Sequence, residues 1–222
     1  MDAATRELIW HNLWPMLQAT ITKTIPLTAI SFAIGLVLAV IVALARMSPV
    51  RLVSAIAQFY ISIIRGTPLL VQLFIVFYAL PQFHIVLASF PAAVIAFSLN
   101  VGGYAAEVVR AAILSVAKGQ WEAAQALGLS YRQMMRLIIL PQASRIAVPP
   151  LSNTLISLVK DTSLASTILV TELLRVAQIA AAPTFDFFAL YGVAAIYYWV
   201  ICLILGFAQT RLETRLSRHI AR

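Results

Sequence analysis

Among the long stretches without a charged side chain are Thr24–Ala45, 22 residues, and Phe187–Thr210, 24 residues. A helix needs about 20 apolar residues to cross the hydrocarbon layer of a bilayer. Both stretches meet that length. The rest of the chain is nearly as apolar. Of 222 residues, 62% are hydrophobic and only 11% charged, against roughly 25% charged in a soluble domain. Mean hydropathy is +0.93. Eight acids and 16 bases cannot cover a water-facing surface on a chain of this size. The composition excludes a disordered chain and speaks against a soluble enzyme. The expected fold class is all-α, a polytopic membrane protein.

Five spans are expected. The first is Thr24–Ala45, too long for the apolar core of a secretory signal. The second runs from Leu52 to about Leu80 and is interrupted by Arg65-Gly66-Thr67-Pro68. Proline lacks an amide proton and clashes with the preceding turn, so a kink or break is expected there. The third covers Ala92 to about Leu114. The fourth covers about Val148 to Val170, with Pro149-Pro150 at its entrance. The fifth is Phe187–Thr210. No linker suggests a second domain, and no internal repeat is evident. Residues 1–23 read as an N-terminal periplasmic or interfacial segment, and residues 214–222 as a basic cytoplasmic tail.

The net charge of +8 would suit a nucleic-acid partner if the bases were clustered. They are instead scattered between apolar runs, which points to the cytoplasmic Lys/Arg excess of a membrane protein. With the C-terminus inside, the cytoplasmic side holds ten bases: Arg46, Arg51, Lys118, Arg132, Arg136, Arg145, Arg211, Arg215, Arg218 and Arg222. The outside holds three: Arg6, Lys23 and Arg175. The expected orientation is N-out, C-in. Arg211, Arg215, Arg218 and Arg222 recur at helical spacing, a stripe suited to anionic headgroups of membrane lipid. Cys202 stands alone, and His11, His84 and His219 have no metal-ligand spacing, so neither a disulfide nor a metal site is expected.

The most informative segment lies between spans three and four. Trp121–Leu127 is rich in helix formers, and Gly128 is placed as a C-terminal stop. Its small residues suit close seating in a groove on another protein. The order Glu122-Ala123-Ala124, three residues, Gly128, nine residues, then Ile138-x-Leu140-Pro141 closely resembles the EAA signature of ABC importer permeases. Further stretches resemble the polar amino-acid subfamily: Arg65-Gly-Thr-Pro-Leu-Leu-Val-Gln-Leu73, Asn100 with Tyr104-Ala-Ala-Glu107 and Arg110, Pro149-Pro-Leu-Ser-Asn153 and Lys160-Asp-Thr-Ser163. Lys118-Gly-Gln-Trp-Glu-Ala-Ala is most similar to cystine-type members.

The resemblance implies a type I importer fold, MetI-like, over residues 24–213, with a coupling helix at about 119–131. It implies that Glu122, Ala123, Ala124 and Gly128 couple to an ATP-binding cassette ATPase dimer. It further implies a second permease copy or paralogue and an extracytoplasmic solute-binding protein. No phosphate-binding Gly-x-x-x-x-Gly-Lys-Ser/Thr loop is present, so ATP and Mg are expected on the ATPase and no cofactor on this chain.

Ionisable groups inside spans cost at least about 2.5 kcal/mol near the bilayer centre, so each needs a reason. Glu107 and Arg110, three apart, are expected to pair as a structural or gating element. Lys160 and Asp161 are adjacent, and adjacent residues on a helix do not face each other. On a helical wheel Asn153, Ser157, Lys160 and Thr167 fall within about 80°, with Asp161 at the margin, and Thr162 and Ser163 are polar neighbours: a polar stripe on an otherwise apolar helix. Two readings stay open: helix–helix hydrogen bonding, or the lining of a substrate path. Arg65 and Thr67, beside the expected break, either cap a half-helix or offer an anion site for an amino-acid carboxylate. The rival to an ATP-driven importer is an ion-gradient-driven amino-acid transporter, using Lys160 and Asp161 as a relay.

Overall fold

The computed structural model describes residues 3–217. Arg218 and Arg222 of the expected tail stripe lie outside the described residues. Ten α-helices follow in order: α1 (Ala3–Ala19), α2 (Ile25–Arg46), α3 (Arg51–Gly66), α4 (Leu69–Phe74), α5 (Ser89–Leu114), α6 (Lys118–Ala126), α7 (Tyr131–Met134), α8 (Leu140–Asp161), α9 (Leu173–Ala181) and α10 (Phe187–Ser217). Three helical runs are long and apolar enough to cross a membrane: Ala3–Arg46, Ser89–Leu114 and Phe187–Arg215. Two bent pairs pass the same test, giving up to five spans. One of them, Arg51–Gly66 with Leu69–Phe83, bends by 107°. The bend falls at Gly66-Thr67-Pro68, where the sequence places it.

Two boundaries differ from the sequence reading. The first helix begins at Ala3, because a π turn at Thr20–Thr24 joins α1 to α2 without interruption. The fourth run begins at Tyr131, and Pro149-Pro150 lie inside α8 rather than at its entrance.

Proline explains the π turns. There are three among the described residues: Thr20–Thr24, Ile75–Ala79 and Met135–Ile139. Each ends two positions before a proline: Pro26, Pro81 and Pro141. A proline in a helix opposes the carbonyl four residues earlier and cannot bond to it. Those carbonyls belong to Thr22, Phe77 and Leu137, the middle residue of each π turn. Widening the turn shifts the bonding to i→i−5, as in Ile25 N–H to Thr20 O and Leu140 N–H to Met135 O. At Pro26 and Pro141 the helix thus continues through the proline, whereas after Pro81 it ends in a short 3-10 turn at Phe83.

The centre of the bundle is the α2–α5 pair, packed through glycine. A Cβ on Gly35 would lie 2.6 Å from Val101 Cβ, and one on Gly102 2.6 Å from Leu38 Cδ2. Gly103 meets Ile64 of α3 equally closely, at 2.5 Å. In lipid, where burial of apolar surface does not drive helices together, such backbone approach supplies the van der Waals packing that does. Phe97, Ala105, Ala106 and Leu27 are fully buried in this core.

A second cluster sits under α6, and a third joins α1 to α9 and α10 through fully buried Met16, Leu173 and Leu190. Thus α1 is part of the folded body and not a detached lead-in. Tyr197 donates to the Leu13 carbonyl at 3.0 Å, and Thr5 to Asp186 at 3.3 Å.

Candidate functional site

Two regions answer to the residues singled out in the sequence. The first is the loop helix. Gly128 adopts φ +72°, in the left-handed region that favours glycine. Its N–H bonds the Gln125 carbonyl at 2.9 Å, and Leu129 N–H bonds the Ala124 carbonyl at 3.2 Å. This is the paired closure of a Schellman stop, with Leu129 and Ala124 in one apolar cluster. The next helix starts on a capping box, Ser130 with Gln133. The turn 127–130 is therefore fixed by backbone geometry on both sides.

Ala124 is fully buried against Met134, Met135 and Ile139, which seats α6 on the bundle. Gln142 of α8 donates to Gln120 of α6 at 3.1 Å. Glu122 and Ala123 are exposed on the other face, as is Leu127. A small-residue helix is thus seated on the bundle with its other face exposed.

The second region is a cavity of about 420 Å³ between the Gly66–Leu69 break, α5 and α8. Thr67, Asn153, Ser157 and Asp161 line it, together with Asn100 and Tyr104. Asn153, Ser157 and Asp161 recur every four residues, so they stack along one face of α8. Arg65 stands beside the cavity, its guanidinium 5.7 Å from the ring centre of Tyr104. Lys160 and Ser163 face elsewhere. They line a different cavity, with Tyr198, Trp199 and Cys202 of α10. The polar stripe therefore divides between two sides of α8, with Asp161 on the cavity side. Thr167 is exposed, and its hydroxyl bonds the Leu164 carbonyl at 2.7 Å.

The broken helix is held open by a residue that the sequence analysis did not assign a role. Gln72 of α4 is buried, and its amide donates to the Ile64 carbonyl at 2.8 Å and the Thr67 hydroxyl at 2.9 Å. Its carbonyl accepts from Asn100 of α5 at 3.0 Å. One side chain thus satisfies a carbonyl at the end of α3 and ties the break to the central pair. Its proximity to the Gly-Thr-Pro break was the available signal. Glu107 and Arg110 pair as expected, with two guanidinium nitrogens within 2.8–3.2 Å of the carboxylate.

Glu172 also escaped the sequence reading. It is fully buried, and it caps α9 by accepting from Leu174 and Arg175 N–H at 2.9 and 2.8 Å. Its other donor is the Tyr198 hydroxyl of α10. Among the described residues no group of three or more His, Cys, Asp or Glu side chains is placed to hold a metal.

A bundle of apolar helices with a broken span, a cavity edged by polar side chains and a loop helix seated on its end has the form of a membrane transport subunit. The chain belongs to the family described as binding-protein-dependent transport system inner membrane component, whose model matches residues 35–218. It is 54% identical over 217 residues to the L-cystine transport system permease protein TcyB of Bacillus subtilis, covering 97% of this chain and 93% of that one. It is 37% identical to the glutamine transport system permease protein GlnP of Escherichia coli, over 94% and 97% of the two chains.

Among solved structures, an amino acid ABC transporter crystallised with histidines superposes with a TM-score of 0.90 at 33% identity, over 97% of this chain and all of that one. The methionine ABC transporter MetNI, inward-facing, shares the fold at a TM-score of 0.69, over 97% and 99% of the two chains. The expected MetI-like, all-α membrane fold is therefore the one found.

Proposed function

We propose that this chain is the membrane-spanning permease subunit of an ATP-driven importer for a polar L-amino acid, with L-cystine as the cargo. The observation that carries the reading is the loop helix α6, stopped by left-handed Gly128 and presenting Glu122 and Ala123 outward. That surface suits a cleft on an ATPase, which supplies ATP and Mg and moves the helix when its nucleotide sandwich closes. The choice of cystine rests on the 54% identity to a cystine permease over nearly the whole chain.

The cargo passes along the cavity lined by Thr67, Asn153, Ser157 and Asp161, with Arg65 and the helix break offering charge and backbone dipoles to its carboxylate. Its polar side chains offer hydrogen-bonding partners to a zwitterion. One chain encloses too little of a path, so a second copy or a paralogue completes it. A solute-binding protein delivers cargo at the outer face. The N-terminus lies outside, the C-terminus in the cytoplasm, and the membrane is the cytoplasmic one. The mechanism is alternating access, in which ATP binding and hydrolysis reset the bundle through α6.

Reconstitution with its ATPase and solute-binding protein tests this reading. Uptake of labelled L-cystine is expected to require ATP and to survive an ionophore. Uptake that persists without ATP and collapses with an ionophore would overturn it. Asp161→Asn is expected to lower uptake, and unchanged uptake with intact assembly would remove Asp161 from the path.

A further inference from the structure

Asn153 belongs to two structures at once. It lines the α5–α8 cavity, and its side-chain oxygen accepts a hydrogen bond from Gln209 of α10 at 3.2 Å. The same Gln209 amide group donates to the Glu213 carboxylate at 2.8 Å, one turn further along α10. Gln209 and Glu213 are half-buried. Two spans separated by 56 positions in sequence are thus joined by a three-residue polar relay.

The placement is informative. Asn153 lies two turns before Asp161 on α8, about 12 Å nearer the α6 end of that helix. Glu213 lies near the C-terminal end of α10, so both ends of the relay lie toward the side that carries α6. Released from Asn153, the Gln209 amide can keep its bond to the Glu213 carboxylate and leaves only a neutral amide oxygen behind, where water can take its place at this half-exposed rim. A buried salt bridge at the same place would resist opening far more strongly.

We infer that Gln209 and Glu213 form a latch at the cytoplasmic rim of the cavity, closing α10 onto α8 through Asn153 and releasing when cargo leaves. The inference rests on reading the cavity as the substrate path. Gln209 is the bridge, because it bonds both partners. Glu213 is a positioning residue: it fixes the rotamer of Gln209 and does not touch the cavity. Opening the latch separates α10 from α8 at one point and leaves the α1–α9–α10 cluster at the other end intact. That geometry gives a bundle that parts on one side while hinged on the other.

The test uses the full complex in liposomes and reads cargo imported per ATP hydrolysed. Gln209→Glu puts two carboxylates one turn apart and breaks the relay. The ratio is expected to fall about fivefold, within the range of coupling between contacting side chains. The double variant Gln209→Glu with Glu213→Gln rebuilds the relay with its polarity exchanged, Asn153 turning its amide toward position 209. It is expected to restore the ratio. Gln209→Leu removes both bonds without adding charge, so it serves if the acidic variant fails to assemble, and it should lower the ratio similarly.

An unchanged ratio in Gln209→Leu, or no recovery in the exchanged pair, overturns the latch. Asp161→Asn separates the two readings. If it abolishes uptake while Gln209→Leu is silent, the path stands and the latch falls. If it leaves uptake intact, the path reading falls and the latch with it.

Discussion

The Tyr198 hydroxyl donates to Glu172 Oε2 at 2.7 Å, tying α10 to the turn that starts α9. Beside it, Leu173 N–H donates to the Thr24 hydroxyl at 3.2 Å, in the π turn of the first span. Three segments distant in sequence thus meet at one buried acid. Removing a partner from a buried polar group costs roughly 1–3 kcal/mol. Tyr198→Phe is therefore expected to lower the unfolding temperature measurably in detergent or nanodiscs, and Glu172→Ala more so, because it also removes the cap of α9. Unfolding temperatures equal to that of the unaltered chain would show that this junction carries no stability.

Close packing at Gly103 gives a second expectation. A Cβ there meets Ile64 Cγ2 at 2.5 Å and Ile64 Cβ at 2.8 Å, so a larger side chain must push α3 from α5. Overpacking of this kind costs about 1–3 kcal/mol. Gly103→Val should reduce the yield of folded chain, whereas Gly192→Ala, with nothing within 4 Å of its added carbon, should not. Size-exclusion yield of the two variants decides it.

Gly128 tests the loop helix. An alanine at φ +72° pays roughly 1–2 kcal/mol for the left-handed conformation. Gly128→Ala is expected to loosen the stop of α6 and weaken co-purification of the ATPase, with Gly128→Asn milder, since asparagine visits that region more readily. Equal recovery of the ATPase with all three chains would separate the turn from docking.

Gln72→Ala leaves the Ile64 carbonyl and the Asn100 amide without their partner inside the bundle. A loss of about 1–3 kcal/mol is expected, together with reduced uptake, because Thr67 and Asn100 both line the cavity. Gln72→Glu should share the defect, because an ionised carboxylate has no proton to give to the Ile64 carbonyl. Full uptake by either variant would show that the break does not need this brace.

Much of this architecture was legible before any coordinates. Apolar run length gave five spans, and the Gly-Thr-Pro break and the Gly128 stop followed from backbone chemistry of single residues. Helix starts were harder. Thr24–Ala45 marks where charge is absent, but Ala3–Ala19 winds into the same helix because its face carrying Met16 packs on α9 and α10, a tertiary fact. The polar stripe of α8 was found but centred wrongly. The helical wheel put Lys160 on the stripe and Asp161 at its margin, whereas Ser157 and Asp161 line one cavity and Lys160 another. Gln72 and Glu172 were missed because a single polar residue in an apolar segment reads the same whether it braces a break or faces a headgroup. Only the carbonyls and amides brought near by folding distinguish the two.

The π turn at Met135–Ile139 lies between the loop helix and the span that carries Asn153, Ser157 and Asp161. A regular helix turns about 100° per residue. The π turn absorbs one extra residue with little change of direction, whereas deleting one residue from the regular part of α8 would swing α6, with its outward face, by about that angle around the axis of α8. The direction in which the outer face of α6 points is therefore set by a count of residues, and a length change in the regular helix is a change of aim.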